Sequence, residues 1–228
     1  MRYLILILTL IFFAPSQAQK NKVNNTDSLA FALAMKIGDY AAAIDIQYRI
    51  IAKDPKNADK IALLAELYFD TEQFKLCENT CFLAIEQNTK HHKSWQMLAV
   101  CYQRENNSTA ALIAYEKLDS LFPANYYKYQ KATLLFEKKS YQASLNELQI
   151  IINDSTSRSK LITVTFQNEE NKSQQQNVPL QAAAYNMAAF ILMNHNEKEK
   201  AKFLLQQALA IAPGFQLAIG NMNTLNKP

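Results

Sequence analysis

The residues able to do chemistry are few: three cysteines (Cys77, Cys81, Cys101), three histidines (His91, His92, His195) and short charged runs at Glu169-Glu170 and Glu197–Lys200. Cys77 and Cys81 lack a second pair at metal-ligand spacing, and the adjacent His91 and His92 diverge on any helix, which argues against zinc. Glycine closes other routes. Only Gly38, Gly214 and Gly220 are present, where an average chain of this length holds about 16. Their spacing makes no dinucleotide fingerprint, phosphate loop or nucleophile elbow. The histidines all fall at expected turns as solvated residues, and the charged runs read as solvated surface. Tyr126-Tyr127 with Tyr129 resembles a base-stacking platform, but Tyr129 falls on a packing position and the net charge is only +4. The expectation is a protein that is not an enzyme, with no cofactor, no metal and no nucleic-acid partner.

The elements that position these residues are helical. A composition of 49% hydrophobic and 19% charged residues is that of a globular chain. Three glycines and six prolines leave too few turns for a β-sandwich or barrel. Residues 1–18 stand apart: Arg2, an apolar run Leu4–Phe13, Pro15 and then Ser16-Gln17-Ala18 make the three-part pattern of a secretory signal peptide. The apolar run is well short of the roughly 20 residues that span a bilayer. Cleavage after Ala18 is expected, giving a periplasmic or secreted protein with no transmembrane anchor. Lysine outnumbers arginine 20 to 4 and Asn plus Gln number 38, a bias that suits an AT-rich bacterial genome.

A period of 34 residues runs along the rest of the chain. It links Leu64, Leu98 and Ala132, then Ala65, Ala99 and Thr133, then Tyr68, Tyr102 and Phe136. It also links Trp95 to Tyr129, Cys77 to Ala111, Cys81 to Tyr115 and Ala84 to Leu118. Small residues at helical spacing let two helices approach, a neighbouring aromatic fills the wedge, and Pro55, Pro123 or Pro213 stops each unit. Ser144 and Ala201 lie 57 apart, so about 23 residues are inserted before the last unit. Within that insertion Leu161–Phe166 is β-branched and Gln174–Val178 is its expected partner strand. A β-hairpin protruding over 155–177 is expected, a mobile loop being the alternative. Gln216–Leu225 reads as a short helix covering the last unit.

On these residues the chain resembles the tetratricopeptide repeat (TPR) family. The best unit, 92–125, carries Trp95, Leu98, Ala99, Tyr102, Ala111, Tyr115, Leu118 and Pro123, and 182–215 carries Tyr185, Ala188, Ala189, Leu192, Ala201, Leu205, Ala208 and Pro213. The units at 58–91 and 24–57 match in part, and the fourth has an inter-helix turn one residue short. Four units over 24–154, the insertion, a fifth unit over 178–215 and a terminal segment 216–228 are expected. The fold class is then all-α, an α-solenoid of about five helix pairs with a short β-hairpin insertion and a C-terminal capping helix.

The resemblance also implies a function. First helices in this family line a concave groove, so by register the partner-facing residues are Asp59, Glu66, Phe69 and Asp70, then Lys93, Gln96, Gln103 and Arg104. Tyr127, Gln130, Lys131, Glu137 and Lys138 follow, then Asn186, Phe190, Met193 and Asn194. Such a groove is acidic at one end, basic in the middle and apolar with amides at the far end. Exposed Phe69, Phe190 and Met193 would anchor a peptide or helix. The expectation is a non-catalytic, exported adaptor for a peptide or protein partner. The alternative is a structural subunit of a cell-envelope assembly or secretion complex. The basic and amide clamp that binds chaperone tails is missing from the first unit, where Ser28, Leu29 and Ala32 stand. By register Cys77 and Cys81 face the core and Cys101 faces the preceding unit, giving either a Cys81–Cys101 disulfide or three buried thiols, the latter favoured by the odd count.

Overall fold

The computed structural model describes residues 26–167 and 171–226, so the expected leader and Glu169-Glu170 lie outside the described residues. Eleven helices and one hairpin follow: α1 (Thr26–Ile37), α2 (Tyr40–Ala52), α3 (Ala58–Asp70), α4 (Phe74–Gln87), α5 (His92–Arg104), α6 (Ser108–Leu121), α7 (Asn125–Glu137), α8 (Tyr141–Asn153), β1 (Leu161–Gln167), β2 (Ser173–Pro179), α9 (Leu180–Asn194), α10 (Lys198–Ile211) and α11 (Gln216–Leu225). No described helix is long and apolar enough to cross a membrane. The chain divides into two compact units, one ending at Pro123 and one beginning at Ala124.

Both units use the same joint. At the turn inside each helix pair one residue takes a left-handed conformation: Gly38 (φ 76°), Glu72 (58°), Asn106 (56°), Lys139 (60°) and Asn196 (60°). The next residue then donates its N–H back to a carbonyl five positions earlier. Gln73 reaches Tyr68, Asn107 reaches Tyr102 and Ser140 reaches Leu135, each at 2.8 Å. This satisfies carbonyls that the helix end leaves open. Four of the five positions are not glycine; Glu72 and Lys139 carry a left-handed penalty of about 1–2 kcal/mol, and Asn106 and Asn196 are the residue type that best tolerates it after glycine. The spacings are 34, 34, 33 and 57 residues. The short fourth turn and the insertion are therefore visible in the backbone itself.

In the first unit α1 packs on α2, α3 on α4 and α5 on α6, with α3 also beside α5. Ala43, Ala65, Cys77, Cys81, Ala99, Cys101 and Ala111 are fully buried at the crossings, where a larger side chain would hold the helices apart. The side chains of Asp39, Asn57 and Asn107 accept the N–H three residues on, at 3.0–3.2 Å, and so start α2, α3 and α6. Buried Gln47 on α2 donates to the Lys60 carbonyl of α3 at 2.6 Å, tying the first pair to the second.

In the second unit α7 pairs with α8 and α9 with α10, while α11 lies on both α9 and α10. β1 and β2 pair antiparallel from Leu161 opposite Pro179 to Gln167 opposite Ser173, so the partner strand extends one residue beyond Gln174–Val178 at each end. The hairpin does not protrude freely as the sequence suggested. Ile162, Val164 and Val178 point inward and join Leu180, Ala182–Ala184, Leu148 and Ile151 in one buried cluster. The Gln176 amide donates to the Gly214 carbonyl (2.7 Å) and accepts from the Gln216 N–H (3.0 Å), fastening β2 to the α10–α11 turn. The inward strand residues pack against the alanine-rich start of α9, where Ala182, Ala183 and Ala184 are fully buried.

Candidate functional site

The groove residues expected in the first unit lie on α3 (Asp59, Glu66, Phe69, Asp70) and on α5 (Lys93, Gln96, Gln103, Arg104). Asp70 and Arg104 are exposed and Phe69 is half-buried. The Arg104 guanidinium lies 6.0 Å from the centre of the Phe69 ring, within cation–π range. Phe69 also meets Phe74 edge-on at 5.7 Å. Gln96 and Gln103 are half-buried on α5, and Gln103 accepts from the Tyr115 hydroxyl at 2.9 Å.

Lys93, Glu66 and Asp59 each meet a partner from the neighbouring segment. Lys93 on α5 forms an ion pair with Glu66 on α3. Burial pushes the Glu66 carboxyl above its ordinary value, against the pull of Lys93. Asp59, whose side chain is 91% exposed, meets His91 Nε2 at 3.1 Å. Lys93 and Glu66 thus offset each other across the α3–α5 seam, while Asp59 stays open to solvent. The Asp70 carboxyl is raised by burial alone.

His91 corrects an expectation. It is buried rather than solvated, and its Nδ1 lies 2.8 Å from Ser94 Oγ at the start of α5. A signal for this existed, because His91 stands one period after Asn57 and caps the following first helix as Asn57 caps its own. His92 is half-buried against Phe122, ring centres 4.6 Å apart, and burial lowers its pKa. Only His195 is exposed, its Nδ1 2.8 Å from the Ile191 carbonyl.

The second unit departs further from the expected groove. Tyr127, Gln130 and Asn186 are 5%, 2% and 7% exposed, so none of them presents a surface. Asn186 is taken by the chain itself, accepting from Asn221 of α11 at 2.9 Å. The capping helix occupies the face that another repeat would have covered. Lys131 faces its own pair and binds Glu147 of α8 at 2.8 Å. Phe190 stacks edge-on against Phe136 at 5.7 Å, and Met193 is packed against the core. Neither is the open anchor the sequence suggested. Lys138, Glu137 and Asn194 are exposed.

All three cysteines are buried and unbridged in this structure. Cys101 approaches Cys77 rather than Cys81, with the two sulfurs 2.7 Å apart. Among the described residues no group of three or more His, Cys, Asp or Glu could hold a metal ion.

Family comparison decides what these helix pairs are. One model of the tetratricopeptide repeat matches residues 34–101, and a second matches 92–125 and 182–215. The chain belongs to the tetratricopeptide repeat family. The second model's two matches coincide with the two units whose register was clearest in the sequence. Among solved TPR structures, this one is similar to YrrB, described as a TPR protein with an unusual peptide-binding site, at 14% identity and TM-score 0.62, covering 85% of this chain and 88% of that one. It is similar to MamA at 13% identity and TM-score 0.61, covering 79% and 93%. A MamA fragment from Desulfovibrio magneticus RS-1 aligns at 6% identity and TM-score 0.62, covering 83% and 95%. At such identities the likeness is one of fold. The chain matches no curated protein sequence.

Proposed function

We propose that this TPR protein is an exported, non-catalytic adaptor that binds a peptide or protein segment on the first helices of its first unit. The observation that carries the reading is the α3–α5 face, where the exposed Arg104 guanidinium lies 6.0 Å from the half-buried Phe69 ring and exposed Asp70 is the next residue of α3. An aromatic ring with a guanidinium over it and a carboxylate on the neighbouring residue suits an extended peptide: the ring takes an apolar side chain and the charges fix backbone or side-chain polarity. The peptide-binding site ascribed to YrrB supports the reading by analogy of fold. Export rests on the N-terminal pattern of Arg2, the apolar run and Ser16-Gln17-Ala18.

The test is cross-linked capture from the cell envelope with three baits: the parent, Arg104→Glu, and Lys117→Glu on the exposed side of α6. Lys93 is avoided because it neutralises half-buried Glu66, so changing it would weaken the α3–α5 seam itself. A partner held by the parent and the Lys117 variant but lost with Arg104→Glu establishes the adaptor. A membrane complex recovered equally by all three, in fixed stoichiometry, replaces it with a structural subunit of a cell-envelope assembly.

A further inference from the structure

We propose that Cys77 and Cys101 form an intramolecular disulfide that locks the second helix pair to the third, with Cys81 remaining a thiol. Cys77 lies on α4 and Cys101 on α5, helices that pack directly together across the junction of two repeats. Both side chains are fully buried in the same apolar cluster. Their sulfurs are 2.7 Å apart, so bonding needs an approach of only about 0.7 Å to the usual length. Cys81 is one helical turn from Cys77 and also fully buried, but Cys101 makes its contact with Cys77. The pairing is therefore not the Cys81–Cys101 bridge that the sequence offered as the alternative to three thiols.

The reaction is thiol–disulfide exchange with a disulfide oxidant. The Cys77 or Cys101 thiolate attacks one sulfur of the oxidant, breaks its S–S bond and releases one thiol. The second cysteine, deprotonated, then attacks the mixed disulfide, forms the Cys77–Cys101 bond and releases the second thiol. Two electrons pass to the oxidant, and the two protons lost by the cysteines end on the released thiols. Burial dictates when this happens. In the folded, reduced chain Cys101 is raised far above the ordinary thiol range by its hydrogen bond to Cys77 and by desolvation. Cys77 is raised as well, because lowering by Cys101 is outweighed by the hydrogen bond with Cys81 and by burial. Thiolate, the attacking species, is then scarce. The bond forms during folding, while the α4–α5 interface brings the two sulfurs together but still admits the oxidant, and burial afterwards keeps reductants out. Since neighbouring repeats hold each other only through shared interfaces, a crosslink at one interface restrains the unfolded chain where the solenoid depends on contact.

The test uses the full chain, reduced, unfolded in urea and diluted into buffer containing oxidised and reduced glutathione. It is then labelled with a maleimide under denaturing conditions without reductant. The expected product carries one label, on Cys81, and its unlabelled mass is lower by two hydrogens. Its digest contains the Cys77 peptide joined to the Cys101 peptide, and its melting midpoint is several degrees above that of the reduced protein. Oxidant added to protein already folded should produce the same species at least tenfold more slowly, and mild denaturant should restore the rate. Cys81→Ser should still form the bond, and Cys77→Ala should not. Three labels on the refolded parent, a Cys81–Cys101 peptide, or glutathione retained as a stable mixed disulfide would each overturn the assignment. These readouts need no variant to fold and do not depend on the partner-binding reading.

Discussion

Replacing Val178 by alanine asks whether the hairpin belongs to the core of the second unit. Val178 is 1% exposed and lies among Ile162, Val164, Leu180 and the alanines of α9. The substitution removes two buried methyl groups, worth about 1.6 kcal/mol at roughly 0.8 kcal/mol per carbon. The small cavity left between β2 and α9 brings the expected loss to about 2 kcal/mol. For a unit near 100 residues melting alone, that is a fall of about 8–16 °C, and about half that if the whole chain melts together. The matched control is Thr163→Ala on the outward face of β1, where the hydroxyl bonds only the exposed Asn177 side chain at 2.8 Å; its cost is within about 0.5 kcal/mol. Far-UV circular dichroism during urea unfolding reads both variants. Val178→Ala unfolding within a few tenths of a kcal/mol of Thr163→Ala would refute the packing described for the hairpin and return it to a free protrusion.

Other consequences follow from single contacts. Lys139→Gly relieves a left-handed residue at the α7–α8 turn, and after the entropy that glycine costs it should gain about 0.5–1 kcal/mol. Lys139→Val should lose stability, and a loss with both in urea titration would contradict the turn geometry. Asp27 accepts from Lys53 at 2.7 Å and from Arg49 at 3.4 Å, tying α1 to α2, and the hydrogen bond from Lys53 holds its carboxyl below the ordinary 3.8. Because the folded value is lowered, its stabilisation is full above the unfolded value and fades as pH falls through the folded one. Asp27→Asn should speed hydrogen exchange in α1 at neutral pH and match the parent in strong acid; equal exchange at neutral pH would remove Asp27 from the account. Ala111→Leu, forced into the fully buried α5–α6 crossing, should cost about 1–3 kcal/mol by thermal unfolding, whereas exposed Ile113→Ala on the same helix should cost under about 0.5 kcal/mol.

The repeat was legible because its period is written in residues that only packing requires. Leu64, Leu98 and Ala132, and the aromatic set Tyr68, Tyr102 and Phe136, mark the same helix position in successive units. Even the short fourth turn could be counted, and it reappears as the 33-residue interval between Asn106 and Lys139. Exposure was much less legible. Repeat register says which way a side chain leaves its helix but not what arrives opposite, so Asn186 could not be seen to meet Asn221 of α11. Nor could Lys131 be seen to meet Glu147. The hairpin failed for the same reason. Its strands were visible in Leu161–Phe166, but β2 reads Ser-Gln-Gln-Gln-Asn-Val-Pro, and one inward valine is too little signal to declare a docked face. The sequence offered Cys81 as the candidate partner of Cys101, and only the placement of α5 brings Cys77, one helical turn away, to that position.

The central claim is that the first helices of the first unit present the binding face, and photocross-linking from single positions tests it most directly. A photoreactive residue is placed at Asp70 on α3, at Lys117 on α6, or at Gln175 on the outward side of β2, all exposed, and each protein is irradiated in its own cells. The account predicts one discrete adduct from position 70, lost when Arg104→Glu is added, and none from 117 or 175. An adduct from 117 or 175 with none from 70 would place the partner on another surface and contradict the claim.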